Sequence, residues 1–122
     1  ELSIVVDGQP PPVDADATQL AVAVHALVAN SINALGRNGV IQIAVRHSSD
    51  GGALLQIADN GPGIPPEVRP HIFDPFYSGR EAGRGLGFGL SKAWRIITLH
   101  GGSLSVDSPP TDGATFTITL PQ

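Results

Sequence analysis

The chain has 122 residues, 7 Lys+Arg against 11 Asp+Glu for a formal net charge of −4, and 41% hydrophobic with 15% charged side chains. These values fit one globular domain over 1–122 rather than a disordered segment, and folding at this length removes about two thirds of the unfolded surface from water. The acidic balance argues against nucleic-acid binding, and the absence of cysteine excludes disulfides and thiolate metal sites. The longest apolar runs, such as Leu20 to Val24, are too short to cross a bilayer, so no membrane contact by this domain is expected. There is no methionine, and Glu1 leads straight into a strand-like run, so a fragment of a longer protein is expected.

Leu2 to Val6 is apolar and β-branched, closes on Asp7-Gly8 and reads as a strand; the proline-rich Gln9 to Val13 is an irregular connection. Asp14 or Asp16 can cap the helix that follows. From Ala17 to Gly36 the chain is rich in Ala, Leu and Val, with Leu20, Val24, Leu27, Val28, Ser31 and Leu35 at helical spacing, and Gly36 or Gly39 ends it. Val40 to Arg46 and Ala53 to Asp59 alternate apolar and polar residues around a turn cluster and predict an antiparallel hairpin.

Asn60 to Phe88 is rich in glycine and proline, with a short helix expected only over Pro66 to Ile72. Leu90, Ala93, Trp94 and Ile97 then form the apolar stripe of a helix that Gly101-Gly102 stops. Leu104 to Val106 and Ala114 to Leu120 form a last strand pair. This order predicts an α+β fold: a two-layer α/β sandwich whose mixed, mostly antiparallel sheet carries about three helices on one face.

Four segments carry possible chemistry. Ala26, Asn30 and Asn33 stand at i, i+4 and i+7 on one side of the long helix. Asn30 and Asn33 are either satisfied polar residues near the helix end or, in the case of Asn30, the source of a carbonyl oxygen for a hard cation such as Mg²⁺. Asp59-Asn60-Gly61-Pro62-Gly63-Ile64 puts a carboxylate at a strand end before Gly-x-Gly, as a plain turn or as an acceptor for an amine on a flat ligand. Phe73-Asp74-Pro75-Phe76-Tyr77 holds three of the five Phe and Tyr residues and, taken alone, reads as a core plug. Gly83 to Gly89 opens into a helix with close backbone approach and free amides, which favours phosphate, but no strand precedes it as in a dinucleotide fingerprint and no Gly-Lys-Ser/Thr is present. Arg80 and Arg84 flank it as phosphate partners or as solvated arginines.

In this order the four segments resemble the N, G1, F and G2 boxes of the catalytic ATP-binding domain of two-component sensor histidine kinases. These belong to the GHKL superfamily with gyrase-type ATPases, Hsp90 chaperones and MutL proteins. The resemblance spans essentially the whole chain, including the closing His100 to Pro121. It implies that Asn30 ligates Mg²⁺, that Asn33 helps shape the nucleotide site and that Asp59 hydrogen-bonds the adenine amino group. Gly61, Gly63 and Ile64 then follow the base, and Gly85, Leu86, Gly87 and Gly89 form the phosphate-side lid. Arg80 is the candidate γ-phosphate contact, with Arg84 beside it.

Two departures matter. Ala26 stands where gyrase-like ATPases carry a Glu general base and many histidine kinases an Asn, and Phe88-Gly89 loosens the usual Gly-Leu-Gly-Leu ending. Water or a serine hydroxyl needs a base to attack phosphorus, whereas a neutral imidazole attacks with its own lone pair. The implied function is therefore a kinase domain that uses Mg·ATP to phosphorylate a histidine elsewhere. The alternatives are a non-catalytic nucleotide-sensing module and an ATPase fragment. His25, His47, His71 and His100 lack the acidic neighbour of a phosphoacceptor, so the acceptor is expected on an upstream dimerisation domain of a cytoplasmic kinase region, with a response-regulator receiver downstream.

Overall fold

The computed structural model describes residues 2–8, 16–35, 39–47, 51–64, 69–73, 89–107 and 113–121. Strand β1 (Leu2–Gly8) is followed by helix α1 (Ala17–Leu35), and β2 (Gly39–His47) and β3 (Ala53–Asp59) form the expected hairpin. Helix α2 (Gly89–Leu99) precedes β4 (Ser103–Asp107) and β5 (Thr115–Leu120). The five strands lie in the order β1-β2-β3-β5-β4, with β1 parallel to β2 and every other pair antiparallel. Adjacent parallel strands need a crossover, and α1 supplies it.

Both helix boundaries come from local chemistry. Asp16 accepts the Gln19 N–H through Oδ1 at 3.0 Å while its carbonyl accepts the Leu20 N–H at 2.9 Å, so it is the N-cap of α1. Helix α2 ends in a Schellman motif: Gly101 has φ +77°, its N–H donates to the Thr98 carbonyl and the Gly102 N–H donates to Ile97, both at 3.0 Å. The short helix expected over 66–72 is, among the described residues, a single 3₁₀ turn at Arg69–His71, closed by the Ile72 N–H on the Arg69 carbonyl at 3.3 Å. Residues 66–68 of that expected helix lie outside the described residues.

Period-2 patterning decides which face of the sheet is covered. Phe116, Ile118 and Leu120 of β5 are buried while Thr115, Thr117 and Thr119 alternate with them toward the other face. Ile57 pairs with Phe116, Ile41 lies opposite Asp59, and Leu104 lies opposite Ile118, which lines one apolar face across four strands. Ala23 and Leu27 of α1 and Leu90, Ala93 and Ile97 of α2 share one core with that face. The helices also pack against each other, giving the two layers expected from the element order.

Candidate functional site

Helix α1 carries its buried stripe Ala23-Leu27 one turn further to Asn30, whose side chain is 0% exposed. An amide at the end of an apolar stripe is costly to bury unless it is satisfied, and Asn30 is held by further contacts of its own. Ala26 is half-buried beside this stripe, and Asn33 is exposed, its Nδ2 donating to the Ala29 carbonyl at 2.8 Å. The three residues fan from the core to solvent, and only Asn30 lies fully inside.

Strand β3 ends at Asp59, on the helix-covered face and 8% exposed. Its Oδ1 accepts the Gly61 N–H at 3.0 Å, an Asx-turn that the sequence Asp-x-Gly favours. The same oxygen accepts the Ala114 N–H at 3.3 Å, and the Asp59 N–H donates to the Ala114 carbonyl at 2.9 Å. The carboxylate is thus oriented by its own turn and by the entry to β5, 55 residues away. Gly63 follows with φ +79°, in the left-handed region that glycine enters without strain. Gly63 and Ile64 are buried, while Gly61 is partly exposed.

Two neighbours brace this corner, and neither was singled out by its sequence. Asn60 accepts the Val40 N–H through Oδ1 at 2.8 Å and donates its own N–H to the Val40 carbonyl at 3.3 Å, tying the loop to the start of β2. Gly113 runs so close to Asp59 that a Cβ there would lie 2.6 Å from both the Asp59 carbonyl carbon and Oδ1. The signal for Asn60 is an amide side chain directly after a strand end; for Gly113 it is a glycine one residue before an alternating strand, which also fits an ordinary turn.

Phe73 opens the aromatic segment and packs edge-on against Phe116, ring centroids 6.3 Å apart, so the core-plug reading holds for this residue. Asp74, Pro75, Phe76, Tyr77, Arg80, Arg84, Gly85, Leu86 and Gly87 lie outside the described residues, while Gly89 begins α2. The structure therefore brings together Asp59, Gly61, Gly63 and Ile64 and sets Asn30 on the helix above the same sheet face. His25 and His47 sit in α1 and at the end of β2, and His71 and His100 at the ends of the 3₁₀ turn and of α2. Among the described residues, no three His, Asp or Glu side chains group to hold a metal, and no helix is long and apolar enough to cross a membrane.

The comparisons agree with this geometry. Residues 15–122 match the family model described as histidine kinase-, DNA gyrase B-, and HSP90-like ATPase. The sensor histidine kinase ZraS of Klebsiella oxytoca is 38% identical over 109 residues, 89% of this chain and 23% of that protein. The solved catalytic domain of the histidine kinase ThkA superposes with TM-score 0.81 at 30% identity, covering 99% of this chain and 79% of that one. Full-length ShkA, solved in complex with AMPPNP, gives TM-score 0.83 at 26% identity over 99% of this chain and 25% of its own. This chain spans about a quarter of such a kinase. A buried strand-end aspartate under a Gly-x-Gly loop, a buried helix asparagine and a family match from residue 15 to the last residue place the chain in the histidine kinase-, DNA gyrase B-, and HSP90-like ATPase family, as an ATP-binding catalytic domain of the histidine-kinase kind.

Proposed function

We propose that this domain binds Mg·ATP and presents the γ-phosphate to a histidine on a separate dimerisation and phosphoacceptor domain of its parent kinase. That histidine in turn supplies a response-regulator receiver domain. The observation that carries the reading is the buried Asp59 carboxylate, oriented by the Gly61 and Ala114 amides beneath a glycine loop. In that setting it accepts a hydrogen bond from the adenine amino group, with Gly61, Gly63 and Ile64 along the base and Asn33 at the rim. The buried Asn30 carbonyl suits Mg²⁺, a hard cation that takes few protein oxygens and keeps waters and phosphate oxygens as its other ligands. When bound, Mg²⁺ neutralises charge on the phosphates. Arg80 reaches the γ-phosphate, and Arg84 with the amides of Gly85, Leu86, Gly87 and Gly89 holds the rest of the chain of phosphates.

The acceptor imidazole attacks the γ-phosphorus with its ring-nitrogen lone pair, the bond to the β-phosphate oxygen breaks, and ADP leaves. The domain positions the phosphates and stabilises charge, which needs no base at residue 26. Ala26 has no side chain able to take a proton from water, which favours transfer to histidine over hydrolysis. We place the reaction in the cytoplasm, whatever anchor the parent protein carries. Calorimetric titration with a non-hydrolysable ATP analogue, with and without Mg²⁺, tests the site. Asp59→Asn abolishes binding, and Asn30→Ala removes its Mg²⁺ dependence. Transfer from ATP to a supplied acceptor domain tests the activity; binding without transfer favours a nucleotide-sensing module, and multi-turnover hydrolysis favours an ATPase.

A further inference from the structure

We propose that His100 is a positioning residue for the phosphate end of the site: its ring fixes how far α1 and α2 are offset along their axes, and so where Asn30 lies relative to Gly89. This builds on the reading of Asn30 as the Mg²⁺ ligand and of Gly89 as the last glycine of the phosphate loop. The ring is held at its own helix end. His100 donates its main-chain N–H to the Ile96 and Ile97 carbonyls at 3.2 and 3.1 Å, and Nδ1 donates to the Ile96 carbonyl at 2.8 Å. That tautomer leaves a lone pair on Nε2, which accepts the Asp16 N–H at 3.1 Å. Asp16 is the N-cap of α1 and is bonded in turn to Gln19 and Leu20, so a bond to its main chain holds the whole helix.

Apolar packing does not supply this restraint. Ala23 and Leu27 of α1 and Ala93 and Ile97 of α2 set how close the helices lie, but such contact is non-directional, and alanine presents no ridge that resists sliding. A hydrogen bond between helix ends is directional and sets one helix against the other. Its far side is fixed too, because a Cβ at Gly102 would run into the Thr119 carbonyl oxygen, so the end of α2 is seated on β5. Since α2 ends where α1 begins, the pair runs antiparallel, with Asn30 and Gly89 both remote from the bond. A helix is stiff along its axis, so an offset set at Asp16 reaches Asn30, about 21 Å away, undiminished, and Gly89 stands about 16 Å from His100. Mg²⁺ demands near-ideal octahedral geometry with ligands at about 2.0–2.1 Å, so a change of offset between Asn30 and the phosphate loop is felt there first.

The test separates the two bonds of the ring. His100→Gln keeps an acceptor near the Nε2 position and loses the bond to Ile96; His100→Asn keeps a donor near the Nδ1 position and loses the bond to Asp16. Calorimetry of the domain with a non-hydrolysable ATP analogue, with and without Mg²⁺, gives the gain in affinity due to the metal. Adenosine, followed by the NMR shift of the Gly61 amide, reports the base end alone. His100→Asn loses about fivefold of the Mg²⁺-dependent gain, the size of one ordinary hydrogen bond, and keeps its adenosine affinity, while His100→Gln stays near wild type. Each variant lacks one bond, so a general loss of stability would move both alike. Equal behaviour of the two folded variants, or a loss shared by adenosine, overturns the role of His100 and leaves the site reading standing. A wild-type domain whose affinity for the analogue does not rise with Mg²⁺ overturns the reading of Asn30 and the role of His100 with it. Should either variant fail to fold, amide exchange in the wild type decides: by reciprocity the Mg²⁺-bound analogue slows exchange of the Asp16 N–H and adenosine does not, and equal exchange with both overturns the proposal.

Discussion

Ser31 is 0% exposed on α1, and its hydroxyl has no hydrogen-bond partner among the described residues. A buried donor left unmade costs about 1–3 kcal/mol, and alanine removes that cost along with little volume. Ser31→Ala is therefore expected to stabilise the domain by about 1 kcal/mol, read as a higher urea midpoint at unchanged slope; a lower midpoint would show that the hydroxyl is bonded in solution. Gly102 gives the opposite case, because a Cβ there would run into the Thr119 carbonyl oxygen of β5 and crowd Ile97 and Leu120 at 3.1 Å. Gly102→Ala is expected to destabilise by about 2 kcal/mol or more, in the range of overpacking against main chain. The two substitutions are chemically similar and differ in sign because one fills a satisfied space and the other removes an unsatisfied group.

Between elements, the contact that joins the helix ends is His100. Its Nδ1 donates to the Ile96 carbonyl at 2.8 Å, since Nε2 must be the acceptor of the Asp16 N–H at 3.1 Å. One ring thus closes the last turn of α2 and holds the first residue of the α1 cap, 84 positions away in sequence. His100→Ala is expected to cost about 1–2 kcal/mol, one ordinary hydrogen bond at each nitrogen, and to raise amide exchange in the first turn of α1 as well as at the end of α2. Protection lost only in α2 would mean that the bridge carries no energy. Deeper in the same layer, Leu27→Ala opens a cavity between α1 and the sheet and is expected to cost about 2–5 kcal/mol in denaturant unfolding.

For the whole molecule, one core shared by both helices and four strands implies a single cooperative transition, to which nucleotide adds by mass action. At a hundredfold excess over its dissociation constant, an ATP analogue is expected to add about 2.7 kcal/mol to wild-type unfolding and nothing to Asp59→Asn. An equal gain in both proteins would remove Asp59 from the site. The fold was legible because its signals are local: helical spacing through Leu20, Leu27 and Leu35, strict alternation in Thr115 to Leu120, and glycines where α2 stops. The motif order gave the family for the same reason, since each box is a short run with its own backbone requirement. What the chain alone could not show is which polar residues the fold buries and which it leaves at the rim. Asn30 and Asn33 look equivalent by spacing, yet packing of α1 on the sheet buries the first and turns the second onto its own helix. Tertiary structure alone set Ala114 and Gly113 against Asp59, because strand order brings β5 beside β3 and no local pattern records a neighbour 55 residues away.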